Sequence, residues 1–245
     1  MADHTAVITG GARGLGQVFA HVAAEAGMHV AVIDLTEGDE TAALISAAGS
    51  TCLTFTGDAS DPAVVGRFGA ADRDTCPPVR VLVNNVGISP YADFASTDVD
   101  LWHRVLRVNL DSLFHMTHEF LPSVRAVGHG RVVNLTSTVV WDAQATSMSA
   151  YATSKAAVVG FTRALAAEVG VDGVTVNAIA PGIVLTPDIE ERVDVERLEA
   201  YRGRQAVKRL AQPADLASAL RFLIDAGSDM ITGTVVPVNG GRVWL

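Results

Sequence analysis

Residues 5–16 read Thr5-Ala6-Val7-Ile8-Thr9-Gly10-Gly11-Ala12-Arg13-Gly14-Leu15-Gly16, and apolar side chains then recur at three- and four-residue spacing from Leu15 to Ala26. A short β-branched strand therefore enters a helix through a glycine-rich turn. Glycine suits a backbone that must bend sharply and lie close to a phosphate, and the free N–H groups at a helix start favour negative charge. The spacing is Gly-x3-Gly-x-Gly rather than GxGxxG, so the reading rests on its place directly after the first strand. Gly10, Arg13, Gly14, Leu15 and Gly16 are the candidate pyrophosphate residues; a tight strand-to-helix turn without a ligand is the plain alternative.

Outward from this turn, six more apolar runs follow: His29 to Asp34, Thr51 to Gly57, Val79 to Asn84, Arg131 to Ser137, Val174 to Ile179 and Thr234 to Val238. They are continuous rather than alternating, which predicts burial on both faces. Helical spacing recurs at Leu101 to Val124, Ala150 to Val169 and Ala214 to Asp225. The pattern predicts an α/β fold of the doubly wound, Rossmann type: a mainly parallel seven-stranded sheet with helices on both faces. No Ser/Gly linker or repeat divides the chain, so residues 1–245 read as a single domain. One irregular insertion, 185–211, mixes charge with Ile189, Val193, Val195, Leu198 and Tyr201, and predicts a helical lid.

Composition narrows the function. The 245 residues carry 18 Lys and Arg against 27 Asp and Glu, a formal net charge of −9. Without a basic block, the surface repels a nucleic-acid backbone. Apolar runs of four to eight residues cannot span a bilayer, and the start shows no export signal, so the expected location is cytoplasmic. Cys52 and Cys76 form no CxxC, and the scattered histidines offer no set of three or four converging ligands, so no metal site is expected.

At the nucleotide end, Asp34 closes the second strand, 18 residues beyond Gly16. A carboxylate there accepts hydrogen bonds from ribose hydroxyls and repels a 2′-phosphate, which favours NAD over NADP. Arg13 argues the other way, as a cation able to pair with such a phosphate. Asp58, with Ala59 after it, follows the third strand, where it either meets the adenine amino group or serves as a turn or N-cap residue.

At the other end, Tyr151-Ala152-Thr153-Ser154-Lys155 opens a helix and sets a phenol and an ammonium on one face. An ammonium and an oxidised nicotinamide together favour phenolate, which makes a general acid-base. Asn84-Asn85-Val86-Gly87, Ser137 and Pro181-Gly182 all sit at carboxyl ends of strands, where open parallel sheets bind ligands. Asn109 joins them from a helix, either in the site or bridging backbone at a kink.

Along essentially its whole length the sequence resembles the short-chain dehydrogenase/reductase superfamily, in its short, NAD-preferring branch. The motifs run in order: TGGARGLG, Asp58, NNVG, Asn109, Ser137, YATSK, NAIAPG with Thr186, and VNGG. The resemblance implies that Tyr151 exchanges a proton with the substrate oxygen, which Ser137 holds. Lys155 would lower the tyrosine pKa and bind the nicotinamide ribose, and Asn109 would position a relay water. Asn85 and Gly87 would lie along the cofactor, with Ile183 and Thr186 at its carboxamide. Ser137 stands fourteen residues before Tyr151, one more than is usual in the family, and Thr138 would restore the spacing. The strand ending Val132 to Ser137 favours Ser137.

Trp141, Met148, Tyr91 and the lid aliphatics predict an apolar substrate, a secondary alcohol or ketone, as in the aryl and cyclic alcohol dehydrogenases of the superfamily. An acyl-carrier-protein ketoreductase and a non-catalytic nucleotide-sensing module are the alternatives. The resemblance implies a homotetramer or homodimer built on the helices around Leu101 to Val124 and Ala150 to Val169. The ending Arg242-Val243-Trp244-Leu245 is expected to pack on the pocket rim or on a neighbour.

Overall fold

The computed structural model describes residues 3–143 and 145–244. Seven strands form one sheet: β1 (Thr5–Thr9), β2 (His29–Asp34), β3 (Cys52–Thr56), β4 (Val79–Asn84), β5 (Arg131–Leu135), β6 (Thr175–Pro181) and β7 (Val235–Val238). Every pairing is parallel, in the order β3-β2-β1-β4-β5-β6-β7. The chain winds outward from β1 to β3, then returns to the other side of β1 with β4. The carboxyl ends of β1 and β4 therefore part in opposite directions and leave the crevice where such sheets bind ligands.

Alternate strand residues feed two separate cores, as the unbroken apolar runs require. Ala6, Ile8, Val30, Val32, Val81, Val83 and Val133 pack beneath α1 (Gly14–Glu25) and α9 (Pro213–Ile224), against Phe19, Leu216, Leu220 and Leu223. Val7, Ala31, Ile33, Leu82, Val132 and Val176 face α3 (Pro62–Thr75), α5 (Ser112–Ala126) and α6 (Ser149–Val169), against Phe68, Met116, Phe120 and Val169. Each Val, Leu, Ile, Phe or Met side chain among them contributes about 1.5–3 kcal/mol by leaving water. Two exposed-sided crossovers complete the winding: α2 (Asp39–Ala47), and α3, whose start Asp61 caps by accepting from Ala63 N at 2.8 Å with Pro62 next to it.

The chain departs from the expected boundaries in two places that matter. The fifth strand stops at Leu135, because Ser137 accepts from Val139 N at 3.2 Å and turns Thr138–Val140 into a 3₁₀ helix. The helix expected from Leu101 to Val124 is two, α4 (Val99–Leu106) and α5, joined by a π-helical turn at Arg107–Asp111. That turn carries Asn109, and the extra residue in its ring swings the side chain off the helical register.

The insertion at 185–211 is helical, with α7 (Pro187–Arg192) and α8 (Val195–Gly203). A bridge between Val184 and Ala211 pins its neck, with Leu185 N donating to Ala211 O at 2.8 Å. Its apolar residues do not form one stripe: Val193 is buried, whereas Val195 is 73% exposed.

Candidate active site

The turn after β1 is built from close approaches. A Cβ on Gly16 would lie 1.9 Å from Gly10 O, so only glycine lets α1 start against the strand end. Gly14 has φ +58°, in the left-handed region, with open space where a side chain would be. Arg13, at the N-cap, provides no side-chain cap, and the first turn holds no acidic residue. The N–H groups of α1 are thus left for an anion, which fits the pyrophosphate of a dinucleotide.

Asn85 fastens β4 to this turn, its Nδ2 donating to Thr9 O at 2.9 Å and Gly10 O at 3.3 Å. Its neighbour Asn84 braces the sheet instead, donating to Asn134 Oδ1 at 2.9 Å and Thr117 Oγ1 at 3.1 Å. At the end of β2, Asp34 accepts from Ala12 N at 3.0 Å and from Thr36 N at 3.2 Å, which aims the carboxylate at the β1 turn. Arg13 is exposed. Asp58 forms a turn, its Oδ1 accepting from Ser60 N at 2.8 Å and Ser60 Oγ at 2.7 Å, while Asp61 is the cap of α3; Ala59 is buried beside it.

Over the carboxyl ends of β4, β5 and β6 lies a cleft of about 540 Å³. Leu15, Asn85, Gly87, Ser137, Met148, Tyr151, Lys155, Pro181, Gly182, Ile183 and Thr186 all line it. Gly10, Arg13, Gly14, Gly16, Asp34, Asp58 and Ala59 belong to the neighbouring strand ends instead. Trp141 is not among the lining residues.

On α6, Lys155 is buried and its Nζ donates to Leu135 O at 2.7 Å, 5.9 Å from the Tyr151 ring centroid. Ser137 and Tyr151 both line the cleft, close enough for the serine side chain to act on the phenol. Thr138, the other candidate, turns away and donates to Pro181 O at 3.1 Å. Asn109 Oδ1 accepts from Ile88 N at 2.7 Å, while its Nδ2 donates to Ile88 O and to Ser154 Oγ, both at 2.9 Å. It does bridge backbone at a kink, yet it also borders the site. A Cβ on Gly87 would sit 3.2 Å from Lys155 Nζ and 3.4 Å from Asn109 Oδ1, so glycine holds open the space between these two groups.

Burial governs both titrations. Desolvation pushes the Tyr151 phenol above its usual value, against the Ser137 hydrogen bond that pulls it down. It also pushes the Lys155 ammonium down to about 8, with no carboxylate beside it to resist. Lowering of the tyrosine pKa by Lys155 is therefore not met in the chain alone. The ammonium gives one N–H to a carbonyl and lies 5.9 Å from the ring centroid, and desolvation is the largest influence on the phenol.

The expected apolar pocket is only half apolar. Asp142 and Arg242 form a partly buried ion pair at 2.8 Å inside the cleft, and the Arg242 guanidinium lies 5.4 Å from the Tyr201 ring centroid. Arg242 thus brings the chain's end to the pocket rim, as expected of the tail, but Trp244 is 81% exposed. Leu245 lies outside the described residues. Two more arginines, Arg197 and Arg204, line the lid side. Their spacing with Ala200 and Tyr201, at i, i+3, i+4 and i+7, was a readable signal of one helical face.

The model of the family described as "Enoyl-(Acyl carrier protein) reductase" matches residues 10–242. The nodulation protein G of Azospirillum brasilense is 34% identical over 244 residues, covering 98% of each chain. The cis-4-hydroxycyclohexanecarboxylate dehydrogenase of Sinomonas cyclohexanicum is 34% identical over 242 residues, covering 98% of this chain and 96% of its own. A crystal structure of a candidate NAD(P)-dependent gluconate 5-dehydrogenase from Beutenbergia cavernae, with NADP bound at low occupancy, is 36% identical with a TM-score of 0.91, over 99% of this chain and 97% of that one. Sheet order, crevice, the Tyr151–Lys155 pair and these matches agree, and the chain belongs to the short-chain dehydrogenase/reductase superfamily of oxidoreductases.

Proposed function

We propose that the protein is an NAD-preferring oxidoreductase that interconverts a secondary alcohol and a ketone, with Tyr151 as general acid-base. The observation that carries this is the meeting of two hydroxyls, Ser137 and Tyr151, at one cleft with Lys155 one turn behind. A bound nicotinamide dinucleotide supplies the carbon that gives or takes the hydride. Everything else falls to the chain. Ser137 and Tyr151 hold the substrate oxygen between two donors, and Tyr151 gives it a proton in reduction or removes one in oxidation. Lys155 uses one N–H on Leu135 O and keeps two for the nicotinamide ribose and for the phenolate that forms. Gly87 leaves room between Lys155 and Asn109 for a water that returns the proton to solvent.

Asp34 favours NAD, because its fixed carboxylate would face a 2′-phosphate at a cost of about 1–4 kcal/mol. Exposed Arg13 and the NADP held by the Beutenbergia cavernae protein favour NADP as the second reading. We further read the chain as a homo-oligomer, a tetramer or a dimer, through α4–α5 and α6, where Phe114 is 52% exposed. Initial rates on 1-phenylethanol, cyclohexanol, galactitol, a hydroxy acid and an acyl thioester, each with NAD and NADP, test the proposal. The expected result is oxidation of a ring-bearing secondary alcohol, with kcat/KM for NAD about tenfold or more above that for NADP. Equal or higher NADP efficiency would remove the Asp34 argument. Turnover only on the thioester would select the carrier-protein ketoreductase.

A further inference from the structure

Helix α8 and its C-cap turn one face toward the cleft: Arg197, Ala200, Tyr201 and the capping Arg204 all line it. Neither arginine is ion-paired with a described carboxylate. Among the described residues Arg204 makes no side-chain hydrogen bond or ion pair, and Arg197 only stacks, its guanidinium carbon 4.1 Å from the Tyr91 ring centroid. Stacking occupies the face of a guanidinium and leaves its N–H edge free. Other arginines of the lid region behave differently. Arg202, on the outer face of α8, pairs with Glu199; Arg209 pairs with Asp215 at 2.6 Å; Arg192 donates to Ser89 O at 3.2 Å. The cleft as a whole shows four cations among its described lining residues and one carboxylate, Asp142, which already pairs with Arg242. Against a formal charge of −9 for the chain, this concentration of positive charge is local to the substrate end.

We propose that the substrate is a hydroxy or keto acid whose carboxylate is bound by Arg197 and Arg204 of the lid, with its carbinol carbon at Tyr151. This rests on the oxidoreductase reading above and narrows its substrate class. The apolar residues between the two ends, Ile88, Val139, Ile183 and Ile189, then cover the carbon skeleton. A carboxylate matches the planar fork of a guanidinium, and a charge-assisted hydrogen bond is stronger than a neutral one. Because both arginines are exposed, the preference for the acid should shrink as salt rises.

The test compares matched pairs: 4-hydroxycyclohexanecarboxylate, mandelate and 3-hydroxybutyrate, each beside its methyl ester. Initial rates and the rise in Tm with NAD present are read for wild type, Arg204→Gln, the double variant Arg197→Gln/Arg204→Gln, and Arg202→Gln as an outer-face control. The expected result is an acid-over-ester ratio in kcat/KM of about 10- to 100-fold for at least one pair. The double variant should lower the acid rate far more than the ester rate, so that the ratio falls toward one, and Arg202→Gln should keep it. Esters turned over as well as acids in all three pairs would overturn the proposal, as would a ratio that survives the double variant. Turnover of no alcohol or ketone with either cofactor would instead remove the oxidoreductase reading. In that case the Tm rise decides: stabilisation by acids alone, lost in the double variant, supports a carboxylate site, and its absence rejects one.

Discussion

The two walls of the cleft are fastened by different means. On the sheet side three polar groups are tied to backbone: Lys155 to Leu135 O at 2.7 Å, Thr136 Oγ1 to Lys155 O at 2.7 Å, and Asn109 to both polar atoms of Ile88. On the lid side the ties run between side chains far apart in sequence, Arg197 to Tyr91, Arg192 to Ser89 and Arg242 to Asp142. Proton transfer tolerates little displacement, so it sits beside groups, Lys155 and Asn109, that backbone holds in place. Recognition of the rest of the substrate sits on the adaptable wall, where long side chains can reposition.

That division can be broken at either wall. Gly87→Val should fill the gap between Lys155 and Asn109 and lower turnover by about 100-fold while Tm barely moves. Steady-state rates and a melting curve on one preparation decide it; undiminished turnover would show that the gap is not used. Asp142→Asn should act on the lid wall instead. It takes the carboxylate away from the partly buried Arg242 at a cost of about 1–3 kcal/mol, about 2–12 °C in Tm, and raises KM more than it lowers kcat. Should kcat fall as far as in Gly87→Val, the two walls would not be separable.

A smaller effect sharpens the sheet side. Burial holds Lys155 at about 8, below its ordinary value of 10.5. Between those pH values the unfolded chain binds more protons than the native one, so native stability climbs with pH across that window and carries the full penalty below it. Lys155→Met should flatten this part of the curve, with no loss of stability at pH 7; urea melts from pH 7 to 10.5 show it. A wild-type curve parallel to that of Lys155→Met would mean the ammonium is not desolvated. The smallest change is expected from Arg202→Gln. Its pair with Glu199 is exposed, so Tm and rates should stay within about 0.5 kcal/mol of wild type.

What was legible in the sequence follows the same division. The sheet, the β1 turn and the Tyr151–Lys155 pair are written in local spacing: period, glycine placement and one helical turn. The stop at Leu135 and the π-turn at Arg107–Asp111 were not, since each depends on where one side chain finds a backbone partner, Ser137 on Val139 and Asn109 on Ile88. The Asp142–Arg242 pair joins residues one hundred positions apart, and no periodicity announces it. The apolar bulk of Trp141 and its place in the loop after β5 point to pocket lining, but the loop carries its neighbour Asp142 into the cleft instead.

The proton role of Tyr151 is tested most directly by measuring cofactor binding and turnover together in Tyr151→Phe. That variant keeps the ring and its packing and removes only the hydroxyl that meets Ser137. We expect NADH affinity within about threefold of wild type and kcat/KM lower by about 10²- to 10⁴-fold. Turnover within about tenfold of wild type, with binding intact, would contradict the account.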